Sequence, residues 1–198
     1  MDGGTRLEIA GLLIFIGAGQ FLTAMMIGAA LRPSYSIATN TISDLGVGST
    51  ALLFNTSIVL LGILIVIAAY LLKEAMRSAP FAMLLILTGI GAAGVGIFPE
   101  TTGAPHLIFA LIAFLFGGIS AIYSSRFTPR PFGIISVILG LLTIIALVLF
   151  STGNYSSLHQ GGMERLIVYP SILWALCFSG ILQAGRLRIS GGGISNRS

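Results

Sequence analysis

Residues 9–31 read IAGLLIFIGAGQFLTAMMIGAAL, which is 23 consecutive residues without a charged side chain. A helix of about 20 residues, rising about 1.5 Å per residue, crosses the roughly 30 Å hydrocarbon core of a bilayer. The run is longer than the about 7–15 apolar residues of a cleavable signal peptide. The flank before it carries Asp2 and Glu8 against a single Arg6, unlike the positive start of a signal. We therefore expect this segment to remain in the membrane as a helix.

Five further runs have the same uncharged, apolar character: residues 51–72, 81–98, 106–123, 132–150 and 166–184. Only 8% of the chain is charged, whereas about 25% is usual in a soluble domain. So few charges cannot cover the surface of a soluble domain, which excludes soluble, disordered and coiled-coil classes. The sequence predicts an all-α, polytopic bundle of six transmembrane helices. Residues 1–189 are expected to form one membrane domain, and residues 190–198 a disordered cytoplasmic tail.

The basic residues predict the orientation of this bundle. With six spans both termini lie on one side, and that side holds eight of the ten Lys and Arg residues. Because cytoplasmic loops carry an excess of Lys and Arg, both termini are predicted to be cytoplasmic in a multi-pass plasma-membrane protein. The opposite side collects a mixed set of ionisable groups in its three loops: Arg32, Asp44, Glu100, His106, His159, Glu164 and Arg165. We interpret this outer set as the candidate site.

The first outer loop contains NTISDLG at residues 40–46. Ser43 or Asp44 could cap a short interfacial helix or belong to a site. Asn55 follows in the second span, where an amide within the apolar layer needs a polar partner. His106 is expected in the first turn of the fourth span, where the helix dipole disfavours the imidazolium. A neutral base or ligand is one interpretation, and a histidine bonded to the loop backbone is the other.

Glu164 and Arg165 precede the last apolar run. Glu164 could pair with the N-terminus of its own helix. Arg165 is a cation on the side that basic residues avoid, so we expect a partner for it in Asp44, Glu100 or an anionic ligand. The alternative is an arginine that snorkels to the interface.

Other chemistries have weaker support. Histidine spacings typical of metal sites are absent, so neither a metal nor another cofactor is expected. Nucleic-acid binding is excluded because the basic residues form no patch. Nucleophilic catalysis requires a hydroxyl beside a base, and Ser43, Thr101 or Ser57 could serve if folding brought one to His106. Glycines of the third and fourth spans predict that these two helices pack closely together.

The order of the outer motifs resembles the family catalogued as domain of unknown function 998. The motifs are ISDLG at residues 42–46, FNTS at 54–57, GIFPE at 96–100, His106, and ERL at 164–166. The resemblance implies a six-span membrane protein of archaea or bacteria. It also implies characteristic polar positions at Ser43, Asp44, Glu100, His106, Glu164 and Arg165. It brings no established activity.

Three functions remain open, besides transport. The first is an outward-facing pocket for an anionic lipid or glycolipid head group, formed by Ser43, Asp44, Asn55, Glu100, His106, Glu164 and Arg165. In that hypothesis Arg165 holds a phosphate. The second is a membrane-embedded lipid hydrolase or transferase with His106 as general base, oriented by Asp44 or Glu100. The third is a non-catalytic subunit of a larger membrane complex. The expected partners are membrane lipids and other membrane subunits.

Overall fold

The computed structural model describes residues 1–187, and in this part of the chain it contains helices and turns but no strand. The long helices are α1 (Gly3–Leu31), α2 (Ala51–Met76), α3 (Ala79–Ile97), α4 (Ala104–Ser124), α5 (Arg130–Ser151) and α6 (His159–Gln183). Each of these six is long and apolar enough to cross a membrane. The predicted all-α, six-span fold is confirmed. The tail predicted at residues 190–198 lies outside the described residues.

The last helix begins earlier than its apolar run. The sequence run starts at residue 166, whereas α6 starts at His159 and includes Glu164 and Arg165 in its early turns. These polar residues continue the helix because their side chains find partners inside the protein rather than in water. Pro170 consequently lies well inside α6.

The helices form a closed ring, in which each packs against its neighbours in chain order and α1 packs against α6. At one end Gln183 Nε2 donates to the Glu8 carbonyl oxygen at 2.6 Å, and Arg6 pairs with Glu74 at 3.4 Å. The other end gathers the loops at residues 32–50, 98–103 and 152–158 with the first turns of α4 and α6. We call it the polar end.

Glycines bring α3 against both of its neighbours. A Cβ on Gly89 would lie 2.6 Å from the carbonyl oxygen of Gly62 on α2. A Cβ on Gly91 would lie 2.7 Å from Ala113 Cα on α4. The expected close packing of α3 and α4 is therefore present. Gly118 of α4 instead faces α5, where a Cβ would lie 3.1 Å from the Gly140 carbonyl oxygen.

Gly89→Ala is expected to destabilise the bundle, because the new methyl group meets backbone of α2 that has no rotamer to change. Overpacking of this kind costs about 1–3 kcal/mol in the free energy of unfolding. Gly180→Ala is the matched control, since a Cβ there meets nothing within 4 Å in the described part of the chain. Apparent unfolding temperatures of the detergent-solubilised proteins should fall for the first variant and not for the second. Equal temperatures would contradict the described α2–α3 contact.

Candidate functional site

Glu164 holds the first loop of the polar end onto α6. Its side chain is 6% exposed. The carboxylate accepts hydrogen bonds from the backbone N–H of Ile42, from the backbone N–H of Ser43 at 3.3 Å and from Ser43 Oγ at 2.8 Å. One interpretation of the sequence was that Glu164 pairs with the N-terminus of its own helix. It binds the N–H groups of a different segment instead.

Ser43 also contacts His106, which lies in the first turn of α4 and is 5% exposed. His106 Nε2 is 3.1 Å from Ser43 Oγ, and His106 Nδ1 is 2.8 Å from the carbonyl oxygen of Phe98. A carbonyl oxygen can only accept, so Nδ1 carries the proton of this contact. In the neutral ring the lone pair of Nε2 then faces Ser43. The expected orienting groups were Asp44 or Glu100, but the Phe98 carbonyl holds this position.

The Ser43 hydroxyl has one proton and two neighbouring acceptors. It can donate either to Glu164 Oε1 on α6 or to His106 Nε2 on α4. Folding thus brings together one of the three hydroxyl candidates, Ser43, and the histidine. Ser57 instead donates to the Phe54 carbonyl oxygen within α2.

Asp44 makes its side-chain hydrogen bonds within the first loop. Its Oδ2 accepts from Asn40 Nδ2 at 2.9 Å and from the backbone N–H of Thr41 at 3.0 Å. Its own backbone N–H donates to Thr41 Oγ1 at 3.0 Å, and its carbonyl oxygen accepts from Arg32. Asp44 therefore shapes the 3₁₀ turn Ser43–Gly46 from within the loop.

Glu100 sits on the 3₁₀ turn Glu100–Thr102, outside the membrane-spanning helices. Its Oε2 accepts from Thr41 Oγ1 at 3.4 Å. Burial raises the pKa of this carboxyl above its ordinary value, and the nearby Asp44 charge raises it further. His106, Thr41 and Arg32 act in the opposite direction but are outweighed.

Arg165 is bound to backbone and to a phenol rather than to an acid. Its guanidinium donates to the carbonyl oxygens of Asn40 at 2.9 Å and Gly161 at 2.7 Å, and to Tyr35 Oη at 2.6 Å. The ion pair in the described residues is Arg6–Glu74, so the expected pairing of Arg165 with Asp44 or Glu100 does not occur there.

Tyr35 links Arg165 to the loop. Its hydroxyl accepts from Arg165 and donates to the Thr41 carbonyl oxygen at 2.7 Å. Burial raises the pKa of this phenol, although the Arg165 charge lowers it in part. The phenol therefore keeps the proton that the Thr41 contact requires.

Asn55 lies on α2, beside the same loop. Its Nδ2 donates to the Gly46 carbonyl oxygen at 3.0 Å, while its buried Oδ1 has no hydrogen-bond partner among residues 1–187. Asn55 therefore has the polar partner that was expected for an amide in the apolar layer. It binds the first loop from α2 and does not line the cavity described below.

A cavity of about 440 Å³ opens beside the Ser43–His106 contact, between α4, α5 and α6. Its polar lining consists of Thr41, Ser43, Glu100, His106, Ser151, Tyr155, Gln160 and Glu164. Its apolar lining is drawn mainly from the three helices and includes Leu107, Leu111, Phe114, Leu147, Phe150 and Ile167. Four of the seven candidate site residues line it. Asp44, Asn55 and Arg165 do not.

Four polar lining residues were not singled out from the sequence: Thr41, Ser151, Tyr155 and Gln160. Thr41 lies two positions before Ser43, so its neighbourhood could have indicated it. Tyr155 and Gln160 flank the start of α6, and their side chains form no hydrogen bond within residues 1–187. No sequence pattern marks the Phe98 carbonyl, because it is a backbone group.

Residues 15–180 match the family described as Protein of unknown function (DUF998). The chain belongs to this family. The match reaches from within α1 to within α6, so it includes every residue described above at the polar end. No curated protein and no solved structure matches the chain. The protein is thus a membrane protein of an uncharacterised family with six apolar helices, and its site must supply the argument for function.

A metal centre has no support in the described part of the chain. Within residues 1–187 there is no group of three or more His, Cys, Asp or Glu side chains that could hold an ion.

The raised pKa of Glu100 predicts a pH dependence of stability. Between the unfolded and the folded pKa, the folded protein holds a proton that the unfolded chain has lost. Stability is therefore highest below the ordinary carboxyl pKa and falls as pH rises through the raised value. Apparent unfolding temperatures measured upward from pH 4 should show this fall, and Glu100→Gln should make it smaller. Glu74→Gln, at the opposite end, is the control that should leave the fall in place.

Arg165→Ala should destabilise the polar end, because it leaves two carbonyl oxygens and a phenol without their donor. An unsatisfied buried polar group costs about 1–3 kcal/mol. Asp44→Ala combined with Arg165→Ala should lower the apparent unfolding temperature more than either change alone, since each side chain makes its own hydrogen bonds to the loop and the two are not bonded to each other. A double variant no less stable than either single variant would indicate a direct Asp44–Arg165 pair and contradict the described contacts.

Proposed function

We propose that this protein binds a membrane amphiphile with an uncharged, hydroxyl-rich head group, such as a glycolipid. The proposal rests on one observation. A single cavity of about 440 Å³ joins the hydrogen-bonding groups of the polar end to apolar side chains of α4, α5 and α6. A head group needs the hydrogen-bonding lining, and the first part of the attached acyl chain needs the apolar lining next to it.

The position of the cavity supports entry from the bilayer. Leu107 and Leu111 line it from α4, and their side chains are 65% and 50% exposed. Both lie on the outer surface of the ring, which faces lipid when the helices span a membrane. An acyl chain can therefore leave the cavity sideways, while its head group remains beside Ser43 and Glu100.

The charges around the cavity favour a glycolipid over an anionic lipid. The titratable side chains that line it include Glu100, His106 and Glu164, but no Lys or Arg within the described residues. Arg165 was the expected phosphate ligand, and its guanidinium is bound to Asn40, Gly161 and Tyr35. Carboxylates accept hydrogen bonds from sugar hydroxyls and repel phosphate.

Two lining residues add donors for such a head group. Tyr155 and Gln160 present a hydroxyl and an amide that form no other hydrogen bond in residues 1–187. Together with the carboxylates, they offer both donors and acceptors to a ring of hydroxyl groups.

We also propose that the polar end faces the outer side of the plasma membrane. Eight of the ten Lys and Arg residues of the sequence belong to the opposite side, and the positive-inside rule assigns that side to the cytoplasm. The amphiphile would then be taken from the outer leaflet.

Lipid binding is tested with fluorescent monoglycosyl diacylglycerol and phosphatidylglycerol as alternative probes for the purified protein. The glycolipid should bind more tightly. Ala110→Phe, which fills the apolar part of the cavity, should weaken binding at least tenfold. Ile108→Phe is the matched control, because Ile108 is exposed on α4 but does not line the cavity.

Tighter binding of phosphatidylglycerol would contradict the proposed head-group class. Equal loss in the Ala110 and Ile108 variants would contradict the cavity as the binding site.

Orientation is tested separately with reporters fused to the C-terminus. A cytoplasm-active fluorescent protein should be bright there, and an alkaline phosphatase that needs export should be inactive. The reverse pattern would place the polar end on the cytoplasmic side.

A further inference from the structure

We propose that Ser43 and His106 form a nucleophile–base pair that cleaves or transfers an O-acyl ester of an amphiphile held in the cavity. This inference rests on the proposed function, because it uses the same cavity to bring an ester to Ser43. It adds a reaction, a bond and a role for each of the two residues.

The geometry of the pair meets the requirements of nucleophilic catalysis. Ser43 Oγ lies 3.1 Å from His106 Nε2, and both residues line the cavity. A serine hydroxyl becomes a nucleophile when a positioned base accepts its proton and a third group orients that base. The Phe98 carbonyl is the orienting group here, since it binds Nδ1–H at 2.8 Å and leaves Nε2 unprotonated toward Ser43.

Glu164 positions the serine. It binds the backbone N–H groups of Ile42 and Ser43 and the Ser43 hydroxyl, so the nucleophile is held on α6 while its base is held on α4. Ser43 itself belongs to the first loop, which Glu164 attaches to α6, whereas His106 is part of α4. For the reaction, the hydroxyl proton turns from Glu164 Oε1 to His106 Nε2, and Glu164 retains its two backbone donors.

The proposed reaction has two balanced steps. Ser43 Oγ attacks the ester carbonyl carbon while its proton passes to His106 Nε2. The bond from that carbon to the alcohol oxygen then breaks, and the proton on Nε2 goes to the departing alcohol. In the second step water, or the hydroxyl of a second amphiphile, gives its proton to Nε2 and attacks the acyl-Ser43 ester. The acyl group leaves as an acid or as a new ester, and the proton returns to Ser43.

The lining of the cavity selects the substrate class. The ester carbonyl must lie at Ser43, where hydrogen-bonding side chains meet the apolar lining. The acyl chain then follows Leu111 and Phe114, and the alcohol part faces Glu100. An O-acylated glycolipid or another neutral acyl ester fits this division, and the amide of Gln160 is a lining group able to donate to the ester carbonyl oxygen.

The test uses a long-chain alkyl fluorophosphonate on the purified protein, followed by intact-mass and peptide mass spectrometry. One adduct on Ser43 is expected. His106→Gln should slow labelling by about 10²–10⁴-fold, which is the usual contribution of a general base. Ser57→Ala is the matched control, since that buried serine donates within α2, and it should be labelled like the unchanged protein. A purely structural Ser43 would form no adduct.

A second measurement follows hydrolysis of 4-nitrophenyl acyl esters and of an O-acylated monoglycosyl lipid. Ser57→Ala should retain turnover, whereas Ser43→Ala should lose it. Because this change also removes a hydrogen bond to Glu164, adduct formation by the unchanged protein decides the matter if the variant does not fold.

The outcomes separate the two proposals. Glycolipid binding without a Ser43 adduct and without ester turnover overturns the catalytic inference and leaves the proposed function standing. A Ser43 adduct and turnover of the simple esters, without glycolipid binding, overturn the head-group proposal and support the catalytic pair. An adduct that forms equally fast in His106→Gln overturns the role of His106 as base.

Discussion

The buried carboxylate of Glu164 is the interaction on which the polar end depends. A carboxylate removed from water is costly unless hydrogen bonds replace its hydration. Here the replacement comes from the first loop, whose turn at Ile42 and Ser43 points two backbone N–H groups and one hydroxyl at the same carboxylate. The position of the loop, and with it the position of Ser43, follows from this requirement.

Arg165 also attaches the first loop to α6, but as a hydrogen-bond donor. Glu164 accepts from the N–H groups of the loop, while Arg165 donates to the Asn40 carbonyl oxygen and to Tyr35. A third contact runs from the Gly162 N–H to the Ala38 carbonyl oxygen at 3.2 Å. Gly161 permits this approach, because a Cβ there would lie 2.8 Å from that same oxygen. The first turns of α6 therefore hold the loop by its backbone.

This arrangement changes the meaning of the charged residues. In the sequence, the outer charged residues look like a set of ligands for one bound molecule. In the fold, Arg32, Asp44 and Arg165 shape the first loop and attach it to the helices. The ionisable residues that line the cavity include Glu100, His106 and Glu164. The loss of both arginines from the lining is the reason that the proposed ligand is uncharged. It also leaves the Ser43–His106 contact as the reactive feature of the cavity.

The sequence predicted those properties of the protein that arise from local composition. Uncharged runs long enough to cross a bilayer predicted the six helices, because the length of a span is set by bilayer thickness. The start of α6 was misplaced for the same reason, since residues 159–165 are too polar to belong to the apolar run that follows them but are still helical. The concentration of ionisable groups at one end also followed from the sequence, and His106 lies in the first turn of its helix as expected.

The pairing of these groups came from tertiary structure alone. Ser43 is 63 positions from His106 and 121 from Glu164, and no spacing in the chain indicates that they meet. Two of the three partners of Arg165, and the orienting group of His106, are backbone carbonyls, which every residue type carries and no motif reveals. The sequence by itself determined which residues must avoid lipid. The packing of α4 and α6 around the first loop decided which of them face the cavity, because a buried polar group takes whichever partner the fold brings within reach.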